Sequence, residues 1–71
     1  MDYPEIIKTI REQLNLSQED LSKELDISFA TVNRWENGKS IPSKMAKRLL
    51  IDYCREKELP KALISEINDY K

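Results

Sequence analysis

The chain has 71 residues, room for one domain with a thin core and a small margin of stability. Hydrophobic residues make up 39% and charged residues 35%, too apolar for a disordered chain and too charged for a membrane segment. Net charge is −1, unevenly spread: residues 1–26 set three basic side chains against seven acidic ones, residues 27–50 five (Arg34, Lys39, Lys44, Lys47, Arg48) against Glu36 alone, and residues 51–71 four against five. A positive middle third is either a phosphate-binding patch or a solvated face, and charge alone leaves both open. No purely apolar run exceeds three residues, and Met1-Asp2-Tyr3-Pro4-Glu5 lacks the apolar stretch of a signal peptide, so a cytoplasmic protein is expected. Cys54 is the only cysteine and histidine is absent, so no internal disulfide, metal site or cofactor is expected.

Apolar residues recur at helical spacing throughout and no alternating run suggests a strand. A first helix is predicted over residues 3–13, capped by Asp2 with Glu5 as reciprocal partner, Pro4 being tolerated in its first turn. Ile6, Ile7, Ile10 and Leu14 form its apolar stripe. A second starts after Ser17, with Asp20 closing a box-like cap; Leu21 and Leu25 face inward and it ends near Leu25. A third starts after Ser28, with Val32 and Trp35 inward and Gly38 past its last turn. A fourth starts after Ser43 and runs to about residue 57, with Met45, Ala46, Leu49, Leu50, Tyr53 and Cys54 as its buried stripe. Pro60 opens a fifth, whose Leu63, Ile64 and Ile67 are the lid of the core or a dimer face, the lid being favoured. Tyr70 and Lys71 are expected to fray. The fold expected is all-α, one bundle of five short helices over residues 1–71.

The informative stretch is residues 16–38, LSQEDLSKELDISFATVNRWENG. Two short helices, each with its own serine cap, share a turn at Asp26-Ile27, and about three non-helical residues between them force a sharp crossing. Ser22, on the inner side of the second helix, leaves room for the third to approach. With Val32 and Trp35 packed down, Phe29, Ala30, Asn33 and Arg34 point outward. They offer a forked donor, an amide and apolar contacts, the set a groove-reading helix needs.

These residues resemble the Cro/repressor-type helix-turn-helix family, also called the xenobiotic-response-element family. The resemblance covers roughly residues 5–57. It rests on IRE at 10–12, LSQEDL at 16–21, TVNRWENGK at 31–39, Pro42 and the apolar fourth helix. It implies a lambda-repressor-like bundle whose third helix enters the major groove of double-stranded DNA. It also implies that Phe29, Ala30, Asn33 and Arg34 meet base edges. Gln18, Thr31, Asn37, Lys39 and Ser40 then meet the sugar-phosphate backbone, with Thr31 and Asn33 placed where the family touches either. Arg11 and Glu36 match a pair that ties the first helix to the end of the third. The sequence departs from the family pattern at Asp26, where Gly is common, at Ser22, where Ala is usual, and at Phe29, which either touches a thymine methyl or folds back on the protein.

Trp35 reads as core rather than as a base-stacking platform, and Cys54 as a buried filler. Glu36 is a lone carboxylate without a second group to work with. Lys44, Lys47 and Arg48 are either the solvated side of the fourth helix or phosphate contacts. The leading expectation is a transcriptional repressor binding a palindromic operator as a homodimer. The alternative is an interaction module: an antitoxin that masks a toxin, or the DNA-targeting head of a longer enzyme such as a DNA methyltransferase. A stand-alone enzyme is not expected, for want of a Gly-rich phosphate loop, a metal cluster or a nucleophile-base pair.

Overall fold

The computed structural model describes residues 1–69; Tyr70 and Lys71, expected to fray, lie outside the described residues. Five helices follow in order: α1 (Tyr3–Leu14), α2 (Gln18–Leu25), α3 (Phe29–Glu36), α4 (Lys44–Glu56) and α5 (Lys61–Asp69). No strand occurs among the described residues. The all-α bundle that the spacing predicts is therefore the fold.

Short polar side chains start the first four helices by accepting a bond from an N–H that the helix leaves unpaired. Asp2 accepts from Glu5 N–H at 3.1 Å, Ser28 Oγ from Thr31 N–H at 3.1 Å and Ser43 Oγ from Ala46 N–H at 3.2 Å. Ser17 Oγ accepts from Asp20 N–H at 3.0 Å while the Asp20 carboxylate accepts from Ser17 N–H at 3.1 Å, a closed capping box. At Asp2 the bond runs one way, without the reciprocal contact expected from Glu5. Before α5, the Pro60 carbonyl accepts from Leu63 and Ile64 N–H at 3.0 and 3.2 Å.

Four helices end by one device. Asn15, Asp26, Gly38 and Glu58 turn left-handed, with φ of 57°, 56°, 71° and 56°. The following N–H then reaches the carbonyl five residues back: Leu16 to Arg11, Ile27 to Ser22 and Lys39 to Arg34 at 2.9 Å, Leu59 to Cys54 at 3.0 Å. Asp26 thus takes the conformation for which Gly is common in this turn. Three of the four following residues, Leu16, Ile27 and Leu59, are apolar and fold onto the core, fixing the chain's exit direction.

That core joins Tyr3, Ile6, Ile7 and Ile10 of α1 to Leu21 and Leu25 of α2, and to Val32 and Trp35 of α3. From the other side come Leu50, Tyr53 and Cys54 of α4 with Leu63 and Ile67 of α5, all of them buried. Trp35 is thus core, and α5 is a lid held also by Tyr3, whose hydroxyl donates to the Ile67 carbonyl at 3.4 Å. Two residues expected in the α4 stripe are not buried: Met45 is 84% exposed and Leu49 39%. Each lies one position, about 100° of helix, from a residue that does face the core, and among the described residues that side of α4 is left open to solvent. No helix among the described residues is long and apolar enough to cross a membrane.

Candidate nucleic-acid interface

Helix α3 packs on α1 and α2, which it meets through Val32 and Trp35. Only Asp26, Ile27 and Ser28 separate α2 from α3. Ser22 is buried at this crossing, and its hydroxyl donates to the Glu19 carbonyl at 2.7 Å instead of reaching across. The far side of α3 is left uncovered. Phe29 is 51% exposed, Ala30 and Arg34 are exposed, and Arg34 stands one turn beyond Ala30 on the same face. Phe29 does not fold back into the core. The Arg34 guanidinium takes no partner among the described residues. At eight residues α3 is about 12 Å long, close to the width of the DNA major groove.

Asn33 is turned differently from Arg34. It is half-buried, its Nδ2 donates to Gln18 Oε1 at 3.0 Å, and its Oδ1 accepts from Asn37 Nδ2 at 3.0 Å. Three amides from the start of α2, the middle of α3 and the loop after it are thus brought together. Thr31 is half-buried, its hydroxyl 2.8 Å from that of Ser28 within the cap. Lys39 is exposed and Ser40 half-buried in the loop that leaves α3.

A brace holds this assembly to α1. Arg11 Nε donates to Glu36 Oε2 at 2.6 Å and Nη2 to Oε1 at 2.8 Å, a two-pronged pair. Its Nη1 donates to the Leu16 carbonyl at 3.1 Å, so one side chain reaches the end of α3 and the approach to α2. The side chains are 19% and 4% exposed. The bond to Glu36 raises the pKa of Arg11 above its ordinary value, keeping the guanidinium charged despite its partial burial. A second strut was not foreseen: Tyr53 OH donates to Glu24 Oε1 at 3.0 Å, and Lys57 Nζ lies 3.6 Å from the same carboxylate and 5.7 Å from the Tyr53 ring centre. It fastens α2 to α4. The i, i+4 spacing of Tyr53 and Lys57 is visible in sequence; their meeting with Glu24 depends on how α2 crosses α4.

The charge pattern is sharper in space than along the chain. Glu36 is the only carboxylate in residues 27–50, and Arg11 neutralises it. Every other charge in this stretch is positive: Arg34, Lys39, Lys44, Lys47 and Arg48. Cys54 is fully buried, and burial lifts its thiol pKa to about 11, the behaviour of a packing side chain. No group of His, Cys, Asp or Glu among the described residues is placed to hold a metal ion.

This geometry agrees with what known proteins show. A helix-turn-helix family model matches residues 7–52, from the first helix into the fourth. Antitoxin HigA-2 of Vibrio cholerae serotype O1 (strain ATCC 39315 / El Tor Inaba N16961) is 40% identical over 47 residues, which are 66% of this chain and 45% of that protein. The chain therefore spans less than half the length of this relative. No solved structure matches. The family match takes in both serine-capped helices, their left-handed turn and both ends of the Arg11–Glu36 brace, and the chain belongs to the helix-turn-helix family of the xenobiotic-response-element type, a DNA-binding rather than a catalytic class.

Proposed function

We propose that this domain reads a specific duplex DNA sequence and represses transcription there, with α3 in the major groove. The carrying observation is the outer face of α3: an arginine with no partner among the described residues, beside exposed Phe29 and Ala30, in a stretch whose only carboxylate is neutralised. Arg34 has the fork that donates twice to guanine O6 and N7, and Phe29 and Ala30 suit thymine methyls. Gln18, Thr31, Asn37, Lys39 and Ser40 ring that face and hold phosphates, fixing register without reading sequence. Two copies bind a palindromic operator with half-sites about 34 Å apart, and occupancy excludes the transcription machinery. Selection from random duplexes followed by footprinting tests this. Enrichment of paired half-sites one helical turn apart is expected; no enrichment, or protection of one half-site at saturation, contradicts it.

A second reading is that the domain serves as an antitoxin, in the cytoplasm, beside a toxin partner. The observation favouring it is the printed name of the Vibrio cholerae relative. Co-expression with the product of the adjacent gene tests it: relief of growth arrest supports the reading, and no arrest to relieve removes it.

A further inference from the structure

We infer that Asn33 is a positioning residue for phosphate binding, holding Gln18 and Asn37 in place through a directed chain of amides, and that it does not read bases. The inference rests on the DNA-binding reading above. Donation runs one way, from Asn37 Nδ2 to Asn33 Oδ1 and from Asn33 Nδ2 to Gln18 Oε1, each at 3.0 Å. An amide carries two N–H donors and one oxygen with two lone pairs. Asn33 therefore commits one donor and one lone pair to the protein, the same two kinds of site that a bidentate contact with adenine N7 and N6 draws on. It is also half-buried, where Arg34 is exposed.

The chain has a polarity that suits its ends. Fixing the Gln18 oxygen on Asn33 turns the Gln18 NH2 away from α3, and phosphate oxygens can only accept. Gln18 is the first residue of α2, at the end where a helix leaves backbone N–H groups unpaired. At the other end Asn37 lies where α3 stops, and its tie to Asn33, four residues back, holds it against the last turn. Two phosphate anchors on separate elements are thereby set at a fixed spacing by a residue that touches neither phosphate. Ordering long polar side chains before binding removes a cost that would otherwise be met at binding. The exposed readers left on α3 are Phe29, Ala30 and Arg34.

The test is binding of wild type, Asn33→Ala and Arg34→Ala to the selected duplex, to each single-base variant and to unrelated duplex. Alanine is well tolerated inside a helix, and an unchanged helical circular dichroism spectrum of free Asn33→Ala, with cooperative unfolding above the assay temperature, shows that the fold is kept. The expected result is a loss of about five- to tenfold on every duplex alike, the worth of one or two hydrogen bonds. Base preference stays unchanged, whereas Arg34→Ala loses preference at one base pair per half-site. Made in a Gln18→Ala, Asn37→Ala background, Asn33→Ala costs less than about twofold, because the residues it positions are gone. Loss of discrimination at one base pair by Asn33→Ala would overturn the inference and leave DNA binding intact. So would wild-type affinity in the single variant, or an undiminished loss in the triple variant. Wild-type protein that enriches no duplex would overturn the DNA reading, and the inference with it.

Discussion

Arg11→Ala should remove a large share of this domain's stability. The substitution deletes three hydrogen bonds, two to the Glu36 carboxylate and one to the Leu16 carbonyl. What it leaves behind matters more. Glu36 is only 4% exposed, so its carboxylate stays in place with no cation and little water. Breaking a fully buried pair from one side costs about 3–5 kcal/mol. Here the Arg11 side chain is 19% exposed and water can enter the vacated space, which lowers the expectation to about 2–4 kcal/mol. Marginal stability for a chain of 71 residues is about 4–10 kcal/mol, so roughly a third to a half is at stake. At about 4–8 °C per kcal/mol, thermal unfolding followed by circular dichroism should show a drop of at least about 8 °C. The double variant Arg11→Met, Glu36→Leu removes both charges and should recover most of that loss. A drop under about 4 °C in Arg11→Ala, or a double variant no better than the single, would refute the argument that a stranded carboxylate dominates.

On the selected operator, Arg34→Ala should cost about 1–3 kcal/mol and relax preference at one base pair. Lys39→Ala should instead weaken binding to all duplexes and reduce the salt slope by about one, as titrations across salt concentrations will show. Glu58→Gly should stabilise by about 0.5–1 kcal/mol in denaturant unfolding, because Glu58 pays the Cβ penalty of a left-handed φ of 56°. Gly38→Ala should destabilise by a similar amount, through its φ of 71° rather than a clash: an added Cβ meets only Pro4 Cγ, at 3.7 Å. Alkaline pH should lower the melting temperature. Burial raises the Cys54 thiol from 9.0 to about 11, so the unfolded chain ionises first and stability falls as pH rises through that window. Tyr53, also raised by burial and then by Glu24, acts in the same direction. A melting temperature unchanged from pH 9 to pH 11 would contradict both assignments.

The helix starts were legible because the cap is a local event: a serine or aspartate bonds an N–H three residues on, and that spacing is written in the chain. Leu63 and Ile67 were legible as lid, since an amphipathic helix following a short break has one core to close on. Met45 and Leu49 were misread because the apolar residues of α4 span more of its circumference than one core contact can cover. Periodicity gives the direction of a stripe and leaves its usable width to the neighbouring helices. Asn15 carried a signal of its left-handed geometry, since asparagine tolerates it better than most residues, whereas Glu58 gave none: its conformation is imposed by the closure of the helix end at a cost to the residue. At the interface, the outward set on α3 followed from packing Val32 and Trp35 inward, but the withdrawal of Asn33 did not. That depends on Gln18 arriving from α2 within 3.0 Å, a distance set by the crossing of two helices. The i, i+4 spacing of Asn33 and Asn37 was its one sequence signal. The Glu24–Tyr53 strut was hidden for the same reason.

Helix α3 keeps two jobs on opposite sides of one short rod. Eight residues are too few to hold a helix in water, so it exists because Val32 and Trp35 are gripped by α1 and α2. Phe29, Ala30 and Arg34 contribute little to that grip. If these three positions read bases as proposed, substitutions there change what is recognised at little cost to folding, whereas changes at Val32 or Trp35 are felt as lost protein. On that reading, a lineage carrying this domain can follow a drifting target sequence by single steps, each intermediate still folded, without passing through a broken form. The same separation limits transplantation: the outer side chains can be moved to another member with a matching inner pair, but α3 cut free of its two supporting helices has nothing to keep it helical.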